Sequence, residues 1–432
     1  MITLTLGLLP MDSQHIDLHR AIIALTCALD LVGIDEVKHG KRVAMMAWHI
    51  AGKLAWSAED RLSILQAGML HDCGVAKIRE HRHLTESLEW DGAEAHCQRG
   101  EEYLRACPPL SHLAEEIRYH HTRWEKLQQT ALSARTRLRA NLLFLADRID
   151  VLQAPYLASE QILIAAPKIV ERLQSYSGSL FCPELLDAFA DLAQSQAFWL
   201  AMDPDYLDED LRNLGNHVPL EMLPYPDLRE IARLFSRVVD AKSPYTELHS
   251  ERVAQIARRL AQSFGIEGAN LEQVEIAGLL HDIGKLRVSE DIIDKPGSLT
   301  AEERACMQRH SYDTYRILQR VFVDSKIPEW AGLHHENLRG EGYPFKTAAT
   351  ALPLECRIIS VADIFQALAQ SRPYRVGMPL AEIIAYLERR VADGVLDAGV
   401  VEKLKADAED YYKLAQGGWQ LNHTNIQRPT AV

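Results

Sequence analysis

The stretch Ala277-Gly278-Leu279-Leu280-His281-Asp282-Ile283-Gly284 is answered 210 positions earlier by Ala67-Gly68-Met69-Leu70-His71-Asp72-Cys73-Gly74. Outward from each copy the same residue types recur in the same order. The second half reads His249, His281-Asp282, His310, His334-His335 and Asp363; the first reads His39, His71-Asp72, His96, His120-His121 and Asp147. His39 and His249 are again 210 apart, and a step of 24 separates His96 from His120 as it does His310 from His334. A solitary His-Asp pair is a weak signal. Seven matched positions point to a duplicated domain built round a dinuclear metal site.

The residues between the matched positions agree as well, although metal chemistry alone does not require it. Val43, Met46, Ala47, Ile50, Ala51 and Leu54 recur at i, i+3, i+4, i+7, i+8 and i+11, the apolar face of an amphipathic helix. Val253, Ile256, Ala257, Leu260, Ala261 and Phe264 repeat that stripe, and Leu145-Ala146-Asp147 answers Val361-Ala362-Asp363. No run of alternating β-branched residues competes with these helical periods. The expected fold is all-α: two tandem helical bundles related by internal duplication, with at most a marginal sheet. The repeat sets the expected division at residues 1–205, a linker at 206–228 marked by Pro219, Pro224 and Pro226, a second domain at 229–415 and a polar tail at 416–432.

A net charge of -13 argues against capture of a DNA or RNA polymer and against an anionic membrane surface. A small phosphate ligand remains compatible, because divalent cations and a few basic residues dominate the field inside a pocket. Seven cysteines without a CxxC pair fit a reducing cytoplasm, which is the expected location. Cys73, beside the first His-Asp pair, is expected to be a small buried thiol. The apolar start at 1–9 lacks a basic flank and is too short for a secretory signal or a membrane span.

Adjacent His and Asp on one helix can serve two ions if the carboxylate bridges and the imidazole binds one of them. Imidazole plus carboxylate without thiolate suits iron or manganese first, with nickel and zinc open, and argues against a structural zinc. The remaining ligands come from separate helices. His249 opens one, and His310 follows the capping-box sequence Thr300-Ala301-Glu302-Glu303.

The strings His-Asp-Ile-Gly-Lys (281–285), Lys-Pro-Gly-Ser-Leu-Thr (295–300), His-His-Glu-Asn-Leu-Arg-Gly-Glu-Gly-Tyr-Pro (334–344) and Arg-Pro-Tyr-Arg (372–375) resemble the HD-GYP family of bacterial phosphodiesterases over about 229–410. The resemblance implies an all-helical HD fold that hydrolyses a cyclic dinucleotide at a metal centre, cyclic di-GMP in most members and the 3',3' hybrid of GMP and AMP in some. It implies metal ligation by His249, His281, Asp282, His310, His334, His335 and Asp363, and phosphate and wall contacts by Arg372, Arg375 and Tyr343. It also implies a diguanylate cyclase-type domain as a possible partner at the Gly-Tyr-Pro loop. Two ions about 3.5–4 Å apart activate water for in-line attack, so no side-chain nucleophile is needed. Lys285, one turn beyond Asp282, is placed to offset charge building on the phosphoryl oxygens.

Two departures stand out. Members with three metals carry Glu four residues before the first His, where this chain has Tyr245, so two metals are expected. Arg339 stands where the family has Asp or Asn. In the first half the ligand types persist, as a second metal site of His39, His71, Asp72, His96, His120, His121 and Asp147, but Val75 replaces Lys285 and no Gly-Tyr-Pro follows. That half resembles a plain HD domain, able to hold two further metals. It is open to three readings: a phosphomonoesterase acting on the linear product, a regulatory binding module, or a decayed copy. For the whole chain, a non-catalytic cyclic dinucleotide sensor and a general HD-type nucleotide phosphohydrolase are the alternatives to the phosphodiesterase.

Overall fold

The computed structural model describes residues 16–31, 38–75, 77–78, 80, 83–84, 88–90, 92–157, 159, 161–217, 222–243, 248–371 and 377–417. Tyr245, Arg372, Arg375, the apolar start and the tail after 417 lie outside those residues. The first bundle is built from α1 (Leu18–Leu29), α2 (His39–Lys53), α3 (Ala58–Leu70), α4 (Ala93–Arg105), α5 (Ala114–Tyr119) and α6 (Ala134–Leu157). After α7 (Ile162–Gln174), α8 (Pro183–Ala193) and α9 (Pro204–His217) come α10 (Tyr225–Asp240), α11 (His249–Ser263), α12 (Gly268–Leu280), α13 (Ala301–Val321), α14 (Ile327–Gly332) and α15 (Leu354–Ala369). Helices α16 (Leu380–Ala392), α17 (Ala398–Ala406) and α18 (Ala408–Gln416) close the chain. The one sheet among the described residues is the two-residue pairing of β1 (Ile16–Asp17) with β2 (Met222–Leu223), antiparallel.

The helical stripes account for the packing. Val43, Met46, Ala47, Ile50 and Ala51 on α2, and Val253, Ile256, Ala257, Leu260 and Ala261 on α11, are all fully buried. Burying a Val, Ile or Leu side chain contributes about 1.5–3 kcal/mol, more than the ~0.5–1 kcal/mol of rotamer entropy that Ile or Leu loses. In each half the stripe faces the central helix, α3 or α12, which ends on the His-Asp pair. The chain then turns so tightly past the next helix that only glycine fits. A Cβ on Gly74 would lie 2.0 Å from the His96 carbonyl oxygen, and one on Gly284 would lie 2.1 Å from that of His310.

Helix starts follow local chemistry. Ser57 accepts from Asp60 N at 3.1 Å to cap α3. Thr300 and Glu303 form the reciprocal capping box of α13, with Thr300 N to Glu303 Oε2 at 2.7 Å and Glu303 N to Thr300 Oγ1 at 3.2 Å. Within the stretch expected as a linker, α9 folds back on the first bundle, where Asp208 accepts from Lys41 at 2.8 Å and pairs with Lys38 at 3.0 Å.

The two bundles touch. Helix α1 packs on α13, and α10 packs on the turn Pro108–Leu113. The backbone N–H of Ile78, seven residues past His71, donates to Glu290 Oε1 at 2.7 Å. No helix among the described residues is long and apolar enough to cross a membrane.

Candidate metal centres

Each half gathers its seven His and Asp side chains into one buried cluster. In the second, Asp282 sits at the centre with its two oxygens facing opposite ways. Oδ2 lies 3.3 Å from His281 Nε2 and 3.6 Å from His249 Nε2; Oδ1 lies 3.4 Å from His310 Nε2 and 3.8 Å from His334 Nε2. Asp363 Oδ1 closes the first group at 3.4 Å from His249 and 3.9 Å from His281, while His335 joins His310 and His334 in the other. The first half repeats this. Asp72 Oδ2 lies 3.4 Å from His71 and 3.8 Å from His39, and Oδ1 lies 3.5 Å from His96 and 4.0 Å from His120. Asp147 reaches His39 at 3.5 Å and His121 at 3.7 Å. Two ligands each about 2.1 Å from one ion lie about 3–3.5 Å apart, so these clusters have nearly the spacing of a shared cation.

The backbone fixes which imidazole nitrogen faces inward. The Nδ1–H of His281 donates to Gly278 O at 2.8 Å, that of His310 to Met307 O at 2.5 Å, and that of His334 to Ala331 O at 2.6 Å. His71 and His120 do the same to Gly68 O and Ile117 O, both at 2.7 Å. In each case the carbonyl three residues back holds the proton, leaving the Nε2 lone pair for a ligand role. His39 and His249 are aimed differently. Each follows a residue with left-handed backbone, Lys38 at φ 72° and Leu248 at φ 60°, a strain that both halves keep.

The donors fit divalent cations. His71 Nε2, Asp72 Oδ1, His281 Nε2 and Asp282 Oδ1 are buried and meet no hydrogen-bond partner of acceptable geometry, a costly arrangement unless a cation faces them. Burial, reinforced by the neighbouring His71 imidazole, pushes His120 down to about 4, and burial with Lys285 nearby pushes His335 down to about 4. Burial also brings His310 down to about 3, against the pull of Asp282. These rings are neutral near pH 7, as ligation requires. His249 and His39 go the other way: burial would lower them, but the facing carboxylates raise them to about 10 and about 9.

The halves part company round these clusters. His249 Nδ1 meets Gln366 Oε1 at 2.5 Å, whereas His39 Nδ1 meets the buried carboxylate of Asp150 at 2.7 Å, which also takes Arg42 Nε at 2.6 Å. In the second half, Lys285 Nζ lies 2.5 Å from Asp282 Oδ2, so its ammonium is turned onto the central carboxylate. In the first, Val75 is buried and the nearby cation is Arg148, 2.7 Å from Asp147 Oδ2. Tyr343 lies against the second cluster, its ring 4.8 Å from that of His335. Cys73 is a buried thiol whose pKa burial pushes up. Arg42 has a matched counterpart in Arg252, whereas Gln366, Asp150 and Arg148 escape sequence reasoning because they differ between the halves. The only sequence signal of those three is a position three residues after, or one residue after, a matched Asp.

Two bundles, each folding a His and Asp cage round a central aspartate, define a metal-dependent hydrolase of the HD type. The HD domain matches at residues 37–152 and again at 233–400. The chain is 39% identical over 405 residues to the 3'3'-cGAMP-specific phosphodiesterase 1 of Vibrio cholerae, covering 93% of this chain and 94% of that protein. It is 34% identical to the cyclic di-GMP phosphodiesterase response regulator RpfG of Xanthomonas campestris, over 37% of this chain and 43% of that one. Among solved structures, a cyclic GMP-AMP specific phosphodiesterase of V. cholerae superposes with a TM-score of 0.62 at 26% identity, covering 91% of this chain and 98% of the other. The chain belongs to the HD-GYP family of phosphodiesterases, with a second HD domain preceding the HD-GYP domain.

Proposed function

We propose that the second half hydrolyses a 3',5'-cyclic dinucleotide, the 3',3' hybrid of GMP and AMP in preference to cyclic di-GMP, to the linear 5'-phosphorylated dinucleotide. The observation that carries the choice is the 39% identity to a 3'3'-cGAMP-specific enzyme along 93% of the chain, both halves included. His249, His281 and Asp363 would hold one ion, His310, His334 and His335 the other, and Asp282 would bridge them. Iron or manganese suits this thiolate-free set, with nickel or zinc as substitutes. When bound, two divalent ions supply positive charge to the phosphodiester and make water nucleophilic near neutral pH.

The chain's own residues do the rest. The carbonyl bonds to Nδ1 hold the imidazoles in the ligand tautomer before substrate arrives. Lys285 offsets the charge of Asp282 and stands next to the phosphoryl oxygens as negative charge builds there. Tyr343 walls the cavity; burial and the nearby carboxylates of Asp363 and Asp282 push its pKa up, so the phenol keeps its proton. Arg372 and Arg375 are assigned to the phosphates on the family pattern alone. Water oxygen bonds to phosphorus, the bond to the ribose 3' oxygen breaks, and that oxygen takes a proton.

The complete donor set round Asp72 supports a second reading, in which the first half binds two further ions and removes the terminal phosphate of the linear product. The loop at 339–343, with Arg339 and Glu341 exposed and paired at 2.9 Å, is the surface we assign to a diguanylate cyclase-type partner. The test is chromatography of products from purified protein loaded with Mn or reduced Fe and offered both cyclic dinucleotides and mononucleotides. Faster ring opening of the hybrid is expected, followed by release of phosphate. Tight binding without product would favour a sensor, and faster turnover of mononucleotides a general phosphohydrolase.

A further inference from the structure

The carboxylate next to the second His pair has a task that no metal-ligand reading gives it. Glu336 follows His335 and is 3% exposed, yet it faces away from the cluster and into the loop that carries Tyr343. Each of its oxygens accepts one backbone N–H from the far side of that loop: Oε1 from Phe345 at 2.7 Å and Oε2 from Thr347 at 3.0 Å. Between these anchors the chain turns on itself. Asn337 Oδ1 accepts from Arg339 N at 3.0 Å and Glu341 N at 3.2 Å, and Gly340 N donates to Asn337 O at 3.1 Å.

The returning strand of the loop is pressed directly onto the His pair. A Cβ on Gly342 would lie 2.5 Å from Glu336 Cα and 2.6 Å from His335 O. Tyr343 N reaches His335 O at 3.4 Å, and its ring tilts 37° over that of His335. Thr122 occupies the matching place in the first half, where the chain runs instead into the short helix Trp124–Leu127. The carboxylate and the loop it clamps occur together in one half and are absent together from the other.

We infer that Glu336 is a positioning residue for the cyclic dinucleotide: by accepting two main-chain N–H groups it fixes Tyr343 over His335, so that the wall of the cavity is formed before substrate binds. An ionised carboxylate is an acceptor at both oxygens, which a pair of converging N–H donors requires. An amide in its place keeps one acceptor and turns an NH2 donor towards the other N–H. The inference rests on the phosphodiesterase reading, and it makes Glu336 act on substrate binding more than on the chemical step.

Hydrogen exchange by mass spectrometry and steady-state kinetics on Glu336→Gln, with Glu336→Asp as a milder variant, test it on the full chain. Exchange in the 337–348 segment should quicken about tenfold or more in Glu336→Gln, as expected for losing one charge-assisted bond, while α11 and α12 stay protected. KM for the cyclic dinucleotide should rise about tenfold with kcat within about threefold, at unchanged metal content. Glu336→Asp should fall between wild type and Glu336→Gln. Unchanged exchange in that segment, or loss of metal from the second cluster with kcat falling and KM constant, would overturn the assignment. Should the wild-type protein open no cyclic dinucleotide, the phosphodiesterase reading fails, while the exchange result still decides whether the carboxylate clamps the loop.

Discussion

The two halves hold matching donor sets at similar spacings in different surroundings. Round the first, a carboxylate supports His39, Arg148 sits on the terminal Asp147, and the loop after the His pair is short. Round the second, an amide supports His249, Lys285 sits on the central Asp282, and a glycine-rich loop folds back over the histidines. A cluster of donors that could hold cations is set by helix packing and by carbonyls three residues back, and both halves keep it. The residues that touch the cluster from outside have diverged.

The largest expected contrast comes from breaking each cage in turn. His281→Ala and Asp282→Ala should each lower ring opening by on the order of a thousandfold or more, since one removes a ligand and the other the bridge. His71→Ala and Asp72→Ala should leave ring opening within about threefold and abolish later phosphate release. Product chromatography reads both. Collapse of ring opening in the first-half variants, with the fold retained, would mean that the halves act as a unit through contacts such as Ile78 to Glu290.

Next in size is the exchanged cation. Lys285→Met should cost about a hundredfold in kcat for ring opening, and Arg148→Met should leave that kcat unchanged. Equal loss in both would show that the cations serve folding and not the site. The supporting group beneath the first histidine should matter less. Asp150→Asn should weaken metal binding in the first half by about 10–100-fold, measured by competition with a chelator, and leave the second half's affinity alone.

The smallest difference is one of pH. His249, at about 10, and His39, at about 9, hold a proton at pH 7 in the metal-free protein. A metal must displace it, so affinity rises with pH and each half should release about one proton on loading at pH 7. Calorimetry in buffers of different ionisation enthalpy measures that number. For the metal-free fold the sign is opposite: a raised His pKa stabilises fully below about 6.5 and is lost as pH climbs through about 9 to 10. Loading without proton release would contradict the protonated His249 and His39.

Much of this was legible in the sequence, because the repeat provides an internal comparison. Matched histidines and aspartates, the apolar stripes of α2 and α11 and the Thr300 capping box all reappear as packed elements. The same comparison hid Asp150, Gln366, Arg148 and Glu336, since a residue that differs between the copies cannot be found by matching them. The repeat places Lys285 beside the second cluster, but the contact of its ammonium with Asp282 comes from the structure. Direction of that kind depends on the tight turn at 283–287, which periodicity does not encode. Val75 at the place of Lys285 is read directly from the repeat, whereas the contact of Arg148 with Asp147 is visible only once α6 brings the two side chains together.

Elemental analysis of metal per chain, on wild type and on Asp282→Ala, bears most directly on the duplicated centre. About four transition-metal ions in wild type and about two in the variant are expected, two for each bridging aspartate. Two or fewer in wild type, or an unchanged count in Asp282→Ala, would contradict the claim that each half builds its own dinuclear cage.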